Sequence, residues 1–340
     1  MTGGPTRTAE GLVSVIIPSY NSAAYLPEAI ESVLAQSYRP LEIIVIDDGS
    51  TDNTREQLQP YLTKISYLYQ ANQGVSAARN AGIRRASGEL IAFLDADDTW
   101  APEKLARQVE AFRPHPEAGV CFTDFSKFND TGILRPSSLT ENLQRWAREH
   151  PDVAEDVSFG SLYPELLQHN CVVTISVLAR REALQAAGPF DETFRMCEDY
   201  DLWLRLALSY PFVYLNRVLC GYRYRPDSSS GPLEAREALW DIHNIKVLEK
   251  HLHNHWIPAE YQAMVRQLLS HRSFLSGRKH FDRDLFREAR GLFSRCVRYG
   301  PSRAKHWVYF LATMLPPPMI ETLRLLKRGF QRSAHPSVHT

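Results

Sequence analysis

Short β-branched runs alternate with helical patterns from residue 13 onward, and this alternation limits the folds open to the chain more than any other feature. Strand patterns occupy residues 13–17, 41–46, 65–69 and 90–94, and helical patterns occupy 23–36, 51–59 and 74–86. The first, second and fourth strand patterns are almost continuously apolar, which is typical of strands buried on both faces. The order predicts βαβ units, and therefore an α/β protein with a mainly parallel central sheet flanked by helices.

After residue 98 the pattern is looser. It predicts helices over 102–112, 181–187 and 198–209, and strands over 120–125, 172–178, 212–218 and 221–225. Residues 129–158 form a long polar stretch with turn signals and one helix near 142–149, and segments this long inside a domain are usually functional or disordered. From about residue 232 the pattern is helical, which predicts a C-terminal helical extension beyond the sheet.

The overall charge excludes one class of partner. Lys plus Arg and Asp plus Glu both number 39, so the formal net charge is zero and no global field draws the chain to nucleic acid. The five cysteines are scattered and lack CxxC spacing, which argues against a disulfide framework or a zinc site and favours the cytoplasm. Residues 1–11 lack the features of a signal peptide and are expected to form a disordered leader.

The C-terminal segment has an amphipathic and basic character. No run reaches the roughly 18 apolar residues of a spanning helix, because three prolines at 316–318 interrupt the apolar stretch 307–315. Basic residues follow at Arg324, Lys327, Arg328 and Arg332. Two interpretations stay open: peripheral contact with the inner face of a membrane, and packing of the tail on the protein itself.

Acidic residues gather where the predicted strands end. Asp47 and Asp48 follow the second strand, and Asp95 and Asp97 follow the fourth with Ala96 between them. Ligands of open α/β sheets bind outside the carboxyl ends of the strands, so these side chains are placed for function. Two carboxylates presented together can hold Mg²⁺ or Mn²⁺ and leave coordination positions for phosphate oxygens. The DxD pattern alone is also common in solvated turns.

Five motifs in sequence resemble those of the family 2 glycosyltransferases, which have the GT-A fold. They read VSVIIPSYN at 13–21, SVLAQS at 32–37, IIVIDDGSTDNT at 43–54, GVSAARNAG at 74–82 and GELIAFLDADD at 88–98. The likeness continues through 177–192 and 198–206. It implies a GT-A domain over 12–230, with a nucleotide-binding half at 12–98 and an acceptor half at 99–230, followed by a helical region at 231–340 that ends in the amphipathic basic tail.

The resemblance assigns the donor site to residues of the first half. Pro18 and Tyr20 would line the nucleobase slot, since an aromatic face stacks on a base. Asp48, preceded by Asp47, would accept a hydrogen bond from the base. Arg79 would approach the nucleotide, Asp95 would contact the ribose or the metal, and Asp97 would bind the divalent cation. The alternatives are a surface tyrosine for Tyr20 and a solvated charge for Arg79.

On the acceptor side the resemblance makes Asp199 the catalytic base, because a sugar hydroxyl must lose its proton as it attacks. Glu198 and Asp199 can also cap the helix that begins there. Where family members often carry a histidine that meets the metal or diphosphate, this chain has Arg225, two residues after Arg223. Arginine does not ligate a cation but can hold a diphosphate. Glu198, Arg223 and Arg225 are therefore candidate diphosphate or acceptor contacts.

The resemblance implies an inverting transferase that moves a hexosyl or N-acetylhexosaminyl group from a nucleotide-diphosphate donor, with UDP-sugars the common case, to an acceptor hydroxyl. A carbohydrate or lipid-linked acceptor in surface polysaccharide, lipopolysaccharide or glycolipid synthesis is expected. The alternatives are a sugar-1-phosphate nucleotidyltransferase and a non-catalytic nucleotide-sugar-binding protein. A phosphate-binding loop rich in Gly and basic residues is missing after the first strand, which disfavours the nucleotidyltransferase.

Overall fold

The computed structural model describes residues 9–225, 234–300, 304–316 and 318–320. The chain divides into two compact units, Met1–Leu233 and Glu234–Thr340, and each is treated by itself.

The first unit is an α/β domain. Its strands are β1 (Ala9–Ser19), β2 (Leu41–Asp47), β3 (Ser66–Tyr69), β4 (Gly88–Phe93), β5 (Thr99–Trp100), β6 (Val120–Asn129), β7 (Gly132–Arg135), β8 (Val157–Gly160), β9 (Leu178–Arg180) and β10 (Phe212–Arg223). Its α-helices are α1 (Leu26–Leu34), α2 (Thr54–Gln57), α3 (Val75–Arg85), α4 (Lys104–Phe112), α5 (Glu141–Glu149), α6 (Tyr163–Gln168), α7 (Arg181–Ala187) and α8 (Glu198–Ala207). Short 3₁₀ turns lie at Gln59–Tyr61 and Thr174–Ser176.

One sheet runs through the described part of this unit, in the order β3-β2-β1-β4-β9-β6-β10-β5, with β7 paired to β6 and β8 to β10. The first four strands are parallel, as the βαβ pattern predicts. Beyond β4 the sheet is mixed: β9 is antiparallel to both its neighbours, whereas β6 and β10 are parallel. The carboxyl ends of β1, β2 and β4 therefore meet at one edge, where the acidic motifs lie.

Helix α3 lies directly on β1 because of one glycine. A Cβ atom at Gly82 would stand 2.3 Å from the Cγ2 atom of the fully buried Ile16, so only glycine permits this approach. The neighbouring residues of α3, Ala77, Ala78 and Ala81, are small and buried as well. The close packing brings Arg79, less than one turn earlier on α3, to the functional edge of the sheet.

Several sequence-based boundaries were wrong. The apolar run 172–178 is not a strand: it contains the 3₁₀ turn, and only Leu178–Arg180 pairs in the sheet. The strands predicted at 212–218 and 221–225 are one strand, β10, whose register with β6 shifts near Val218 and Cys220. Between residues 129 and 158 the structure contains β7 and the start of β8 besides the predicted helix.

The predicted disordered leader at 1–11 also needs correction at its end. Residues 9–11 belong to β1, where Ala9 pairs with Gly88. The backbone N–H of Gly11 donates to Glu89 at 3.0 Å, and the Tyr38 hydroxyl donates to the Gly11 carbonyl at 2.6 Å. These long-range bonds order a segment whose own composition carries no strand signal. Residues 1–8 lie outside the described residues.

The second unit is helical, as predicted. It contains α9 (Glu234–His253), α10 (Ala259–Asp282), α11 (Phe286–Tyr299) and α12 (Ala304–Ala312). Aromatic residues of α10, α11 and α12 form its core, with Phe293 fully buried between Phe274 and Phe281. Across the ranges given above, no helix has both the length and the apolar character needed to cross a bilayer. The basic tail beyond residue 320 lies outside the described residues.

Candidate active site

The loop after β1 presents an aromatic side chain on a fixed backbone. Pro18 lies within β1, and the strand continues to Ser19, two residues past the end of the predicted strand at residue 17. Tyr20 follows with 51% of its surface exposed. The next residue, Asn21, accepts a hydrogen bond from the Thr51 backbone N–H at 2.8 Å, and the Ala23 N–H donates to Asp52 at 3.1 Å. The loop that carries Tyr20 is thus fastened to the loop after β2.

Asp47 and Asp48 are both buried and hold the loops around them. Asp48 accepts hydrogen bonds from the Gln70 side chain at 2.7 Å and from the backbone N–H groups of Gln73 and Gly74 at 2.9 and 2.8 Å. Asp47 accepts from the Ser50 N–H and the Tyr67 hydroxyl, each at 2.8 Å. In the structure Asp48 organises the turn that leads into α3, and its contact with a nucleobase stays a prediction.

The carboxylates after β4 alternate in direction. Ala96 is buried in the core, whereas the side chains of Asp95 and Asp97 are 31% and 21% exposed. Burial, and then the charge of Asp95, raise the pKa of Asp97 above its usual range. Asp98 is buried and accepts a hydrogen bond from the Arg223 N–H at 2.6 Å. The motif therefore turns Asp95 and Asp97 outward and uses Asp98 to join β4 to β10.

Two arginines at the end of β10 face these carboxylates. Arg225 Nε donates to Asp97 at 2.9 Å, and the Arg225 guanidinium carbon lies 4.8 Å from the Tyr25 ring centroid. Arg223 Nε donates to the Asp97 carbonyl at 2.9 Å, and its guanidinium pairs with Glu28 and lies between the Tyr25 and Phe128 rings. The two arginines thus place positive charge beside Asp95 and Asp97. Arg225 occupies the position where the family resemblance places a histidine.

A single arginine joins the two halves of the site. Arg79 is 3% exposed, and its two terminal nitrogens donate to Asp95 at 2.8 Å and to Glu198 at 2.7 Å. Burial acts to lower the pKa of Arg79, but the charges of Asp95 and Glu198 outweigh it and raise that pKa. Asp95 and Glu198 are 103 residues apart in sequence, yet one guanidinium spans them. The direct nucleotide contact expected of Arg79 stays a prediction.

Asp199 lies at the start of α8, beside this ion pair. Its carboxylate accepts hydrogen bonds from the Tyr200 N–H at 2.7 Å, Thr174 Oγ1 at 3.2 Å and Asn170 Nδ2 at 3.3 Å. Burial, and then the negative charge of Glu198, raise its pKa to about 7, while Arg79 and the hydrogen bonds act in the opposite direction. A carboxylate with a pKa near neutrality is suited to accept a proton at physiological pH.

Sequence reasoning missed four residues that hold the site in place. Asn80 exchanges two hydrogen bonds of 2.9 Å with the backbone of Phe190, and its amide also donates to Glu192 at 2.8 Å. Asn170 and Thr174 fix the carboxylate of Asp199, and Tyr25 stacks with both Arg223 and Arg225. Only Asn80 had a local signal, because it lies inside the GVSAARNAG motif beside Arg79.

The outward carboxylates fit a cation that is shared with a substrate. Asp95 and Asp97 offer the hard oxygen ligands that Mg²⁺ and Mn²⁺ prefer, and the charge of Asp95 adds to burial in raising the pKa of Asp97. Among the described residues, no group of three or more His, Cys, Asp and Glu side chains could hold a metal ion. A cation at this edge would therefore need further oxygen ligands from water or a diphosphate.

Solved structures with the same architecture identify the fold as GT-A. Staphylococcus aureus TarS 1–349 in complex with UDP-GlcNAc aligns with a TM-score of 0.56 and 18% identity over 92% of this chain and 91% of that chain. A mannosyltransferase from Pyrobaculum calidifontis in complex with GDP-Man and Mn²⁺ aligns with a TM-score of 0.56 and 18% identity over 90% of this chain and 81% of that chain. At this identity the likeness concerns the fold.

Several glycosyltransferases are similar to this chain in sequence. An uncharacterized glycosyltransferase of Nostoc sp. is 39% identical over 212 residues, which span 61% of this chain and 61% of the relative. TuaG of Bacillus subtilis, named a putative teichuronic acid biosynthesis glycosyltransferase, is 32% identical over 68% of this chain and 87% of its own length. WfgD of Escherichia coli, named a UDP-Glc:α-D-GlcNAc-diphosphoundecaprenol β-1,3-glucosyltransferase, is 29% identical over 68% and 85%.

The model of glycosyl transferase family 2 matches residues 14–178. That range begins inside β1, contains β2 to β4, and includes the motifs that position Tyr20, Asp48, Arg79, Asp95 and Asp97. The resemblance read from the five sequence motifs is confirmed. The chain belongs to glycosyl transferase family 2.

Proposed function

We propose that this protein transfers a sugar, with inversion, from a nucleotide-diphosphate donor to an acceptor hydroxyl. The observation that carries the proposal is the Arg79 bridge, which holds Asp95 of the donor half and Glu198 of the acceptor half on one guanidinium. Because Asp199 directly follows Glu198, the bridge sets the base at a fixed position relative to the carboxylates after β4. Arg79 would thus act through its two carboxylate partners as a positioning residue.

The donor would bind across the carboxyl ends of β1, β2 and β4. Half of the Tyr20 surface is exposed on a fastened loop, which leaves its ring available to stack on a nucleobase. Pro18 and Asp48 would shape the slot from beneath it. UDP is the nucleotide we favour, since WfgD is named for UDP-Glc and the TarS structure contains UDP-GlcNAc. A hexosyl or N-acetylhexosaminyl group is the proposed cargo.

Asp95 and Asp97 would hold Mg²⁺ or Mn²⁺, and the Mn²⁺ in the mannosyltransferase structure supports this choice. When bound, the cation would neutralise charge that develops on the leaving diphosphate. Arg225 donates to Asp97 through Nε, and the charge of its guanidinium would attract the phosphate oxygens of the leaving group. Arg223 is anchored by Glu28 and the Asp97 carbonyl, so its role would be to hold the Asp97 loop.

Asp199 would act as the general base. Its carboxylate takes the proton of the acceptor hydroxyl while the hydroxyl oxygen forms a bond to the anomeric carbon. The bond between that carbon and the diphosphate oxygen breaks, and the nucleoside diphosphate leaves with the electron pair. Thr174 and Asn170 would orient the carboxylate, since each donates to one of its oxygens. No covalent intermediate with the protein is required.

The acceptor is proposed to be a carbohydrate or a lipid-linked saccharide in surface polysaccharide synthesis. The names of TuaG and WfgD, which refer to teichuronic acid and to a diphosphoundecaprenol-linked sugar, support this class. Residues 129–158, which include β7 and α5, lie on the acceptor half and would select among such acceptors. Asp124 ties this segment to β6 by accepting hydrogen bonds from Ser137 and the Ser138 N–H.

The test is a panel of UDP-, GDP- and TDP-sugars with and without Mn²⁺, assayed for binding by thermal shift and for turnover by nucleoside diphosphate release. Asp199→Asn should retain donor binding and lose turnover by a factor of about 10² to 10⁴, the usual contribution of a general base. Glu89→Gln, at the opposite end of β4, is the matched control and should behave as wild type. Binding without turnover by the wild-type protein across donors and acceptors would instead indicate a non-catalytic binding protein.

A further inference from the structure

Helix α12 is apolar on the side that faces away from its own unit. Trp307, Val308, Leu311 and Met314 are 41%, 63%, 54% and 52% exposed. Their positions i, i+1, i+4 and i+7 place them on one face of the helix and its last turn. Met319, three residues beyond Pro316, is 53% exposed as well. Large apolar side chains clustered in this way on a soluble surface mark an interaction site.

The opposite face of α12 is already occupied. His306 and Tyr309 contact the Phe274 ring, with ring centroids 4.8 and 5.5 Å apart, and Tyr309 also packs against Phe281 and Phe293. The buried Thr313 carbonyl accepts a hydrogen bond from Arg290. The helix is therefore docked through one face while the other remains apolar.

The composition of the C-terminal sequence favours lipid. From residue 301 to residue 340 the sequence contains six Lys or Arg residues and one acidic residue, Glu321, although the whole chain has a formal net charge of zero. A sequence that combines basic residues with Trp, Leu and Val has the composition of segments that lie in the interface of anionic membranes.

We propose that the Trp307, Val308, Leu311 and Met314 face inserts into the surface of an anionic lipid bilayer, with α12 lying parallel to it. Apolar burial of these side chains and attraction of the basic residues to the headgroups would act together. This proposal rests on the surface of α12 and not on the proposed sugar transfer. Its test therefore uses neither donor nor acceptor.

The experiment is co-sedimentation of the full chain with vesicles made of equal parts phosphatidylcholine and phosphatidylglycerol. Wild type should sediment with these vesicles, and binding should fall with pure phosphatidylcholine and with added salt. The double variant Val308→Asp, Leu311→Asp should weaken binding by at least about tenfold, since two large apolar side chains are lost from the interface. Both positions are exposed, so the fold should be retained, which circular dichroism checks.

Leu239→Asp is the matched control, because Leu239 is 47% exposed on α9 and lies outside the proposed face. It should bind vesicles as wild type does. Trp307 should also show a blue shift on binding, measured as the difference in fluorescence between wild type and Trp307→Phe. The proposal fails if the double variant binds as well as the control does. It also fails if wild type ignores vesicles and instead forms a dimer in sedimentation equilibrium that the double variant disperses.

Discussion

Replacing Glu198 by Gln should shift the pH dependence of transfer to lower pH. In wild type Asp199 must be ionised to accept the proton, and its pKa is raised to about 7 by burial and by the charge of Glu198. The activity should therefore rise with pH and level off above 7. At pH 6 only about one tenth of the Asp199 carboxyls are ionised, so kcat/KM should be about one tenth of its plateau.

Two effects of Glu198→Gln act in the same direction. The substitution removes the like charge that raises the pKa of Asp199, and it leaves the positive charge of Arg79 with Asp95 alone to balance it. Both stabilise the ionised carboxylate. With an effective dielectric constant of about 20, the charge of an adjacent residue changes the free energy of ionising Asp199 by more than about one kcal/mol. The acid limb of the pH profile should therefore move down by about one pH unit or more.

The measurement is kcat/KM for the acceptor from about pH 5 to 9, in overlapping buffers at constant ionic strength and saturating donor. Donor binding is followed in parallel, so that a titration in the donor site is recognised. Glu89→Gln serves again as the control and should keep the wild-type profile. A wild-type rate that is flat across pH 7 would refute the role of Asp199. An acid limb that moves upward in Glu198→Gln would refute the assigned cause.

Further substitutions test three other parts of the structure. Asp97→Asn should weaken Mn²⁺ binding, whereas Arg225→Ala should strengthen it by freeing the Asp97 carboxylate from its ion pair; calorimetry without nucleotide measures both, and equal affinities would contradict the assignment. Gly82→Ala should lower the free energy of unfolding by about 1–3 kcal/mol, because its Cβ would clash with Ile16. Adding Ile16→Ala should make the effect of Gly82→Ala smaller in a double-mutant cycle, and simple additivity would argue against the clash. Lys104→Met should remove the rise of the unfolding free energy with pH between about 8 and 10.5, since Lys104 is fully buried and burial lowers its pKa from 10.5 to about 8; an unchanged rise in denaturant titrations would contradict this cause.

Local sequence predicted the parallel half of the sheet well. Strands β1, β2 and β4 are buried on both faces, so their apolar runs are continuous and their ends carry the acidic motifs. The segment 172–178 is equally apolar but was wrongly predicted to be a strand, because its conformation depends on residues distant in sequence. Gln108 donates to the Ser176 carbonyl at 2.8 Å, and Trp100 donates to the Ile175 carbonyl at 2.9 Å. These side-chain donors take the place of a neighbouring strand.

The sequence predicted which residues form the candidate site, but it did not predict which of their side chains contact one another. Motif order singled out Asp95, Asp97, Glu198 and Asp199, but their contacts come from opposite parts of the chain. The Arg79 to Glu198 contact joins residues 119 apart, and the Arg225 to Asp97 contact joins residues 128 apart. Periodicity reports only which face of an element is apolar, so it does not reveal such pairs.

The bridge through Arg79 also sets a rule for engineering acceptor specificity. A chimera that takes the donor half from this protein and the acceptor half from a relative would leave Arg79 buried, with Asp95 as its remaining anion, unless the incoming segment supplies a carboxylate at the position of Glu198. A buried guanidinium that has lost one of its two carboxylate partners is destabilising, so such chimeras would be less stable than the parent proteins. Recombination boundaries should therefore be chosen to keep Arg79, Asp95 and Glu198 together as one inherited unit.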